Sequence, residues 1–116
     1  MSVNSIAKQK SMDFAKRIVR MYQYLTKEHC EYVMSKQVLR SGTSIGANIA
    51  EAVYGSSRKD FAAKLQIAQK EAAETLFWLE LLNSCDYLSD EQYHSMYSEC
   101  QEIMSILTAT LKKVRE

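Results

Sequence analysis

The chain has 116 residues, 47% apolar and 25% charged, with a net charge of +1, no proline and only three glycines. This length bounds it to one small domain with a single core, and the scarcity of turn residues excludes a sheet-rich fold with tight connections. No apolar run approaches the ~20 residues of a membrane span, and the near-neutral balance by itself names no polyanionic partner.

The first segment carries Ile6, Phe14, Ile18, Tyr22 and Leu25 with Ala7, Ala15 and Met21 beside them, an apolar stripe at helical steps. Asn4 or Ser5 stands where a cap would start it, and it ends near the run TKEHCE. Residues 1–28 hold six Lys or Arg against Asp13 and Glu28, so this helix is locally basic. The second segment places Met34, Val38, Ile45, Ile49 and Ala52 on one face, and Gly55 follows as a left-handed stop. In the third, Ser57 with Asp60 reads as a capping box before Phe61, Leu65, Ala68, Ala72, Leu76, Leu79 and Leu82. That helix should run for about 28 residues, or about 40 Å. The fourth opens on SDEQ, with Ser89 as cap and Gln92 reaching back, and continues through Tyr93, Met96 or Tyr97, Cys100, Ile103, Leu107, Leu111 and Val114. Its last turn carries Lys112, Lys113 and Arg115, where the helix dipole favours cations. Four such helices joined by short links predict an all-α, antiparallel up-down-up-down four-helix bundle, one domain over residues 1–116.

The pentapeptide GTSIG at 42–46 spells G-x-S-x-G, and Ser44, Asp86 or Asp90, and His94 follow in the chain order of a hydrolase triad. A nucleophile elbow needs a strand, a strained turn and then a helix. The preceding SKQVLRS has no alternating pattern, so no catalytic residue is assigned. The same stretch lacks the Gly-Lys-Ser/Thr spacing of a phosphate loop. EQYH supplies one Glu-x-x-His pair, Glu91 and His94, but His29 has no glutamate three residues earlier, which leaves half of a di-iron site; no metal or cofactor is expected. Cys30, Cys85 and Cys100 are odd in number without a C-x-x-C, and the N-terminus is polar, so the thiols read as reduced and the protein as cytoplasmic.

Gly42 and Gly46 lie one turn apart, with Ala50 continuing their face and Thr43, Ala47 and Ala52 close by. Each glycine inside a helix costs about 1 kcal/mol relative to alanine, so the pair implies close approach of another helix, within the chain or between subunits. Asn48 and Glu51 sit beside this stripe; Glu51 is either exposed at the rim or buried with a partner such as Arg40.

The run SKQVLRSGTSIGANIAEAVYGSSRKDF, followed by LQIAQKEAAETLFWLELL, resembles the bacterial four-helix bundle proteins encoded in 23S rRNA intervening sequences, a ribosomal-protein-like family that includes the accessory variability proteins of diversity-generating retroelements. Gln37, Leu39 (at an offset of one), Arg40, Ser41, Ser44, Ile45, Asn48, Ile49, Ala50 and Glu51 carry the likeness, and Glu74 takes the place of the family's third-helix glutamate. Gly46 stands where members often have Pro, and Ala52 where they have Gly. The resemblance covers nearly the whole chain. It implies a non-enzymatic, ring-forming bundle, typically a homopentamer; in the retroelement branch the ring binds a reverse transcriptase and nucleic acid. On that basis RNA is the expected partner, with Arg17, Arg20, Arg58 and Lys59 as contacts chosen by charge, and Gly42, Ser44, Gly46, Asn48 and Glu51 as the packing and oligomer signature. The other reading is a scaffold for a polypeptide partner, which the aromatics Trp78, Tyr22, Tyr24 and Tyr54 permit, although such residues more often fill cores and subunit contacts.

Overall fold

A computed structural model describes residues 5–116, which form four helices: α1 (Ser5–His29), α2 (Met34–Ala52), α3 (Arg58–Ser84) and α4 (Asp90–Arg115). The links are residues 30–33, 53–57 and 85–89, too short for anything but antiparallel neighbours. The bundle measures 44 × 20 × 19 Å. The pairs α1–α2, α2–α3 and α3–α4 pack closely, whereas α1 and α4 touch sparsely. The expected all-α, antiparallel four-helix bundle is what forms.

The core is the meeting of four stripes. On α1 it runs Ala7, Ser11, Phe14, Ile18, Met21 and Leu25, all buried. Two members expected on this stripe lie off it: Ile6 is exposed and Tyr22 only half-buried, because the buried register follows Ala7 and Met21. Val38, Ile45, Ile49 and Ala52 come from α2, with Met34 packed at the edge. In α3 Leu76 is half-buried and Thr75 takes the buried place; its hydroxyl lies 2.9 Å from Ser41 Oγ and 2.8 Å from the Glu71 carbonyl oxygen. A threonine can sit there because both of its hydrogen-bonding needs are met inside the protein. Met96, Cys100, Ile103, Leu107 and Leu111 complete the core from α4.

Helix ends follow the sequence in part. Ser89 and Gln92 form the complete capping box of α4, with Ser89 N–H donating to Gln92 Oε1 at 2.9 Å and Gln92 N–H to Ser89 Oγ at 3.1 Å. Ser57 accepts from Asp60 N–H at 3.1 Å, but the box there is half made: the Asp60 carboxylate accepts from Ser56 Oγ instead. Asn4 lies outside the described residues, as does the Ser5 side chain. Gly55 is not a left-handed stop, since no described glycine has positive φ. It is needed for space: a Cβ on it would sit 3.1 Å from Phe61 N and 3.2 Å from the Ala52 carbonyl oxygen. The left-handed positions are Cys30 (φ 52°) and Asp86 (φ 64°), just past α1 and α3. After Asp86, Tyr87 N–H returns to the Leu82 carbonyl at 2.9 Å, closing α3 in the manner of a Schellman turn.

Candidate functional site

GTSIG lies in the interior of α2, one turn after another of unbroken helix, and no strand precedes it among the described residues. Ser44 Oγ donates to the Arg40 carbonyl at 2.6 Å, so the hydroxyl is spent on its own helix one turn back. The strand–turn–helix setting of an elbow is absent among the described residues.

The signature residues divide between two faces of α2. Gly42 and Gly46 face α1 of the same chain. A Cβ at Gly42 would meet Ile18 Cδ1 and Cγ1 at 2.8 Å, and one at Gly46 would meet Ser11 O and Oγ at 3.4 Å. The close approach inferred from the glycines is therefore intramolecular, and it is strict only at Gly42. Asn48 Nδ2 donates to the Ser44 carbonyl at 2.8 Å. Glu51 is exposed and pairs with Lys64 at 3.1 Å, so it needs no buried partner.

Arg40 turns to α3. Its guanidinium reaches Glu71 at 2.8 Å and Glu74 at closer range, and Glu74 also accepts from Trp78 Nε1 at 2.9 Å. The Trp78 hydrogen bond, then Arg40, holds the Glu74 carboxyl below its ordinary range; the Glu74 hydrogen bond raises the Arg40 guanidinium. This seam ties α2 to α3 along their exposed edge.

The four basic residues chosen on charge fall into two places. Arg17 and Arg20 line the groove between α1 and α4 with Met21, Tyr24, Leu88 and Met96. Arg17 is engaged there, donating to Glu99 and, at 2.9 Å, to Ser95 Oγ. Arg58 and Lys59 instead line a groove at the opposite end of α4, shared with Gln66, Val114 and Arg115. Met96 and Arg115 are nineteen residues apart on one helix, so the two sites are separated by roughly 28 Å. Arg58, Lys59, Lys112, Lys113 and Arg115 form no ion pair among the described residues, whereas Lys10, Arg17, Arg40 and Lys64 are all paired. One end of the bundle thus gathers cations without an ion-pair partner among the described residues, drawn from the start of α3 and the end of α4.

The residues 4–109 match the model of the 23S rRNA-intervening sequence protein family. The chain belongs to that family. Among curated proteins, none matches. Among solved structures, it is similar to a protein of unknown function from the S23 ribosomal protein family of Bacteroides thetaiotaomicron. The two are 53% identical, with a TM-score of 0.92, over 93% of this chain and 96% of that one. Because the match spans the bundle, the family signature can be placed on the geometry. The S-I-x-x-N-I-A-E stretch, residues 44–51, is the C-terminal half of α2, and Glu74 of α3 is the partner of Arg40.

Charge counting overlooked one residue that organises this fold. Glu31 accepts from Val33 N–H at 3.0 Å, Met34 N–H at 2.9 Å and Ser35 N–H at 2.7 Å, and Ser35 Oγ donates back to the Glu31 carbonyl at 2.8 Å. It thereby caps α2. Its signal was a glutamate standing three residues before the first residue of the helix, Met34, and four before its first buried one, Ser35. Elsewhere, His94 Nδ1 is 2.7 Å from the Asp90 carbonyl oxygen, and no group of three or more His, Cys, Asp or Glu among the described residues could hold a metal. No helix among them is long and apolar enough to cross a membrane.

Proposed function

We propose that this member of the 23S rRNA-intervening sequence family is a non-enzymatic, cytoplasmic accessory protein that assembles into a ring and binds structured RNA. The observation that carries the RNA reading is the unpaired basic end: Arg58 and Lys59 with Arg115, flanked by Lys112 and Lys113. Phosphate oxygens would pair with these cations, none of which forms an ion pair among the described residues. Arg17 leaves the contact set, because Glu99 and Ser95 already use its guanidinium.

The ring reading, a homopentamer, draws support from two separate sets of exposed apolar residues. One set is Met12 and Val19 on α1, two turns apart on one face; the other is Ile67 and Phe77, at separate positions on α3. A ring needs two unlike surfaces that meet head to tail, and a bundle with such sets on different helices can provide them. Light scattering should return five times the 13.3 kDa of one chain; a monomer removes the ring.

For RNA, a gel shift with a structured rRNA fragment should show affinity falling steeply with salt. Arg58→Glu with Lys59→Glu should weaken it, while Arg17→Ala should leave it near the parent value. No shift at low salt overturns the RNA reading.

A further inference from the structure

Tyr54 stands in the link between α2 and α3 and is 87% exposed. Its side chain forms no hydrogen bond and no aromatic contact among the described residues. A single exposed ring needs no explanation by itself, but its surroundings supply one. The ring lines a shallow groove with Gly55, Ser56, Ala63 and Ile67, beside Asp60 and the Glu51–Lys64 ion pair. The Asp60 carboxylate accepts from Ser56 Oγ. This groove has no excess of cations with which to hold a phosphate.

Across α3 the balance reverses. Arg58, Lys59 and Arg115 line the groove on the α4 side, and Lys112, three residues before Arg115, lines the next stretch along α4. None of these four forms an ion pair among the described residues. The one carboxylate beside them in sequence, that of Glu116, is exposed and likewise unpaired, so the cations outnumber it. Ala63 lines both grooves and puts only a methyl group between them. Lys59 lies four residues before it, on the same row of α3. The ring and the cations are therefore about one helix width apart, roughly 10–12 Å. That is the reach of about three stacked nucleotides at about 3.4 Å each.

From this arrangement we infer that Tyr54 is the stacking platform for an unpaired nucleobase of an RNA whose phosphates meet Arg58, Lys59 and Arg115. The inference rests on the RNA reading and narrows it: the ligand carries an unpaired nucleotide, in a bulge, a loop or an end, and is not a continuous duplex. An unpaired base can be splayed onto an aromatic ring, whereas both faces of a base within a duplex are already stacked. The uncharged base suits the groove without excess cations, and the charged backbone suits the other. Ile67 shares the Tyr54 groove, so a neighbouring subunit is the competing occupant. The unpaired cations across Ala63 favour RNA.

The test is fluorescence polarisation with two labelled RNAs, a fully paired hairpin stem and the same stem with a three-nucleotide bulge. The bulged RNA should bind about tenfold tighter than the paired stem. Tyr54→Ala should abolish that preference while leaving the affinity for the paired stem and its salt dependence unchanged. Tyr54→Phe should keep the preference, because the ring and not the hydroxyl makes the stack. Arg58→Glu with Lys59→Glu should weaken both RNAs alike and flatten the salt dependence. The exposed position of Tyr54 beyond α2 keeps folding out of the comparison, and circular dichroism verifies it. Equal binding of the two RNAs by the parent protein, or a preference that survives Tyr54→Ala, overturns the stacking inference and leaves the RNA reading standing. A fall in the light-scattering mass of Tyr54→Ala assigns the ring to a subunit contact and also overturns it. Failure of either RNA to bind at low salt removes both readings together.

Discussion

Gly42 of α2 lies so close to Ile18 of α1 that a methyl group on the glycine would stand 2.8 Å from two Ile18 side-chain atoms and 3.0 Å from a third. Ile18 is fully buried and β-branched, so it has little freedom to move aside. Gly42→Ala gains about 1 kcal/mol of helix propensity but overpacks the core, which costs about 1–3 kcal/mol. A net loss of about 1 kcal/mol is expected in urea unfolding. Gly46→Ala meets only ordinary contacts at 3.4 Å, so the propensity gain should prevail and the protein should be unchanged or slightly more stable. Combining Gly42→Ala with Ile18→Val should recover part of the loss, a coupling that independent sites would not show. Equal destabilisation by both alanines would refute this account of α2.

The Arg40 seam makes a different kind of contribution. The Arg40 side chain is 49% exposed and that of Glu74 35% exposed, so solvent screens much of the attraction. Arg40→Ala should therefore cost less than about 1 kcal/mol, and the cost should shrink as salt rises. Trp78 provides a local readout, because its indole N–H shares Glu74 with Arg40. Its emission should shift in Glu74→Ala and change less in Arg40→Ala. A loss of several kcal/mol in Arg40→Ala that salt does not reduce would mean that the seam is buried rather than exposed.

The bundle was legible in the sequence because helix periodicity, capping residues and the missing prolines agree with one another. Ser89 with Gln92 and the Ser44 back-bond were readable for the same reason: each acts within four residues of its partner. What spacing alone leaves open is which neighbour a face meets. Gly42 and Gly46 share a face, yet only the packed α1 reveals that Ile18 makes one strict and Ser11 leaves the other lenient. Charge likewise does not locate itself. Arg17 and Arg58 look alike in a sequence, but Glu99 lies 82 positions beyond Arg17 and neutralises one of them. The stops at Cys30 and Asp86 escaped because left-handed geometry is read from glycine, and neither is glycine.

Glu31 should make stability depend on acid. Burial raises its carboxyl, but the N–H groups of Met34, Ser35 and Val33 and the Ser35 hydroxyl together outweigh that, and the net shift is downward. A carboxyl depressed in the folded state contributes stability that is complete above its unfolded pKa, about 4.3, and is lost as pH falls through the lower folded value. Glu31→Gln keeps the shape and weakens the cap. It should cost about 1–2 kcal/mol at pH 7, as removal of a helix cap does, and less at pH 3, where the parent's carboxyl is itself protonating. Urea midpoints of both proteins at the two pH values give the comparison. A difference that stays constant with pH would remove the charged cap.

The three thiols should separate by burial. Cys100 is fully buried in the core, its Sγ is 3.5 Å from the Ala72 carbonyl oxygen, and burial, with a smaller effect of Glu99, pushes its pKa up to about 12. Cys30 and Cys85 are exposed and free. The thiolate is the reactive form, so at pH 8 Cys100 is protected twice, by access and by ionisation. Titration of the native protein with a disulfide reagent should release two equivalents quickly, from Cys30 and Cys85. The third should appear only as fast as the bundle opens, and at once in guanidinium. The same raised pKa has a consequence in alkali. A thiol whose folded pKa exceeds its unfolded value contributes stability that is full below about 8.5 and is lost as pH rises through the folded value. Cys100→Ala removes that loss but leaves a small cavity, so it should be less stable than the parent at pH 7 and close the gap above pH 9. Three fast equivalents in the native protein would show that α4 does not hold Cys100 inside the core.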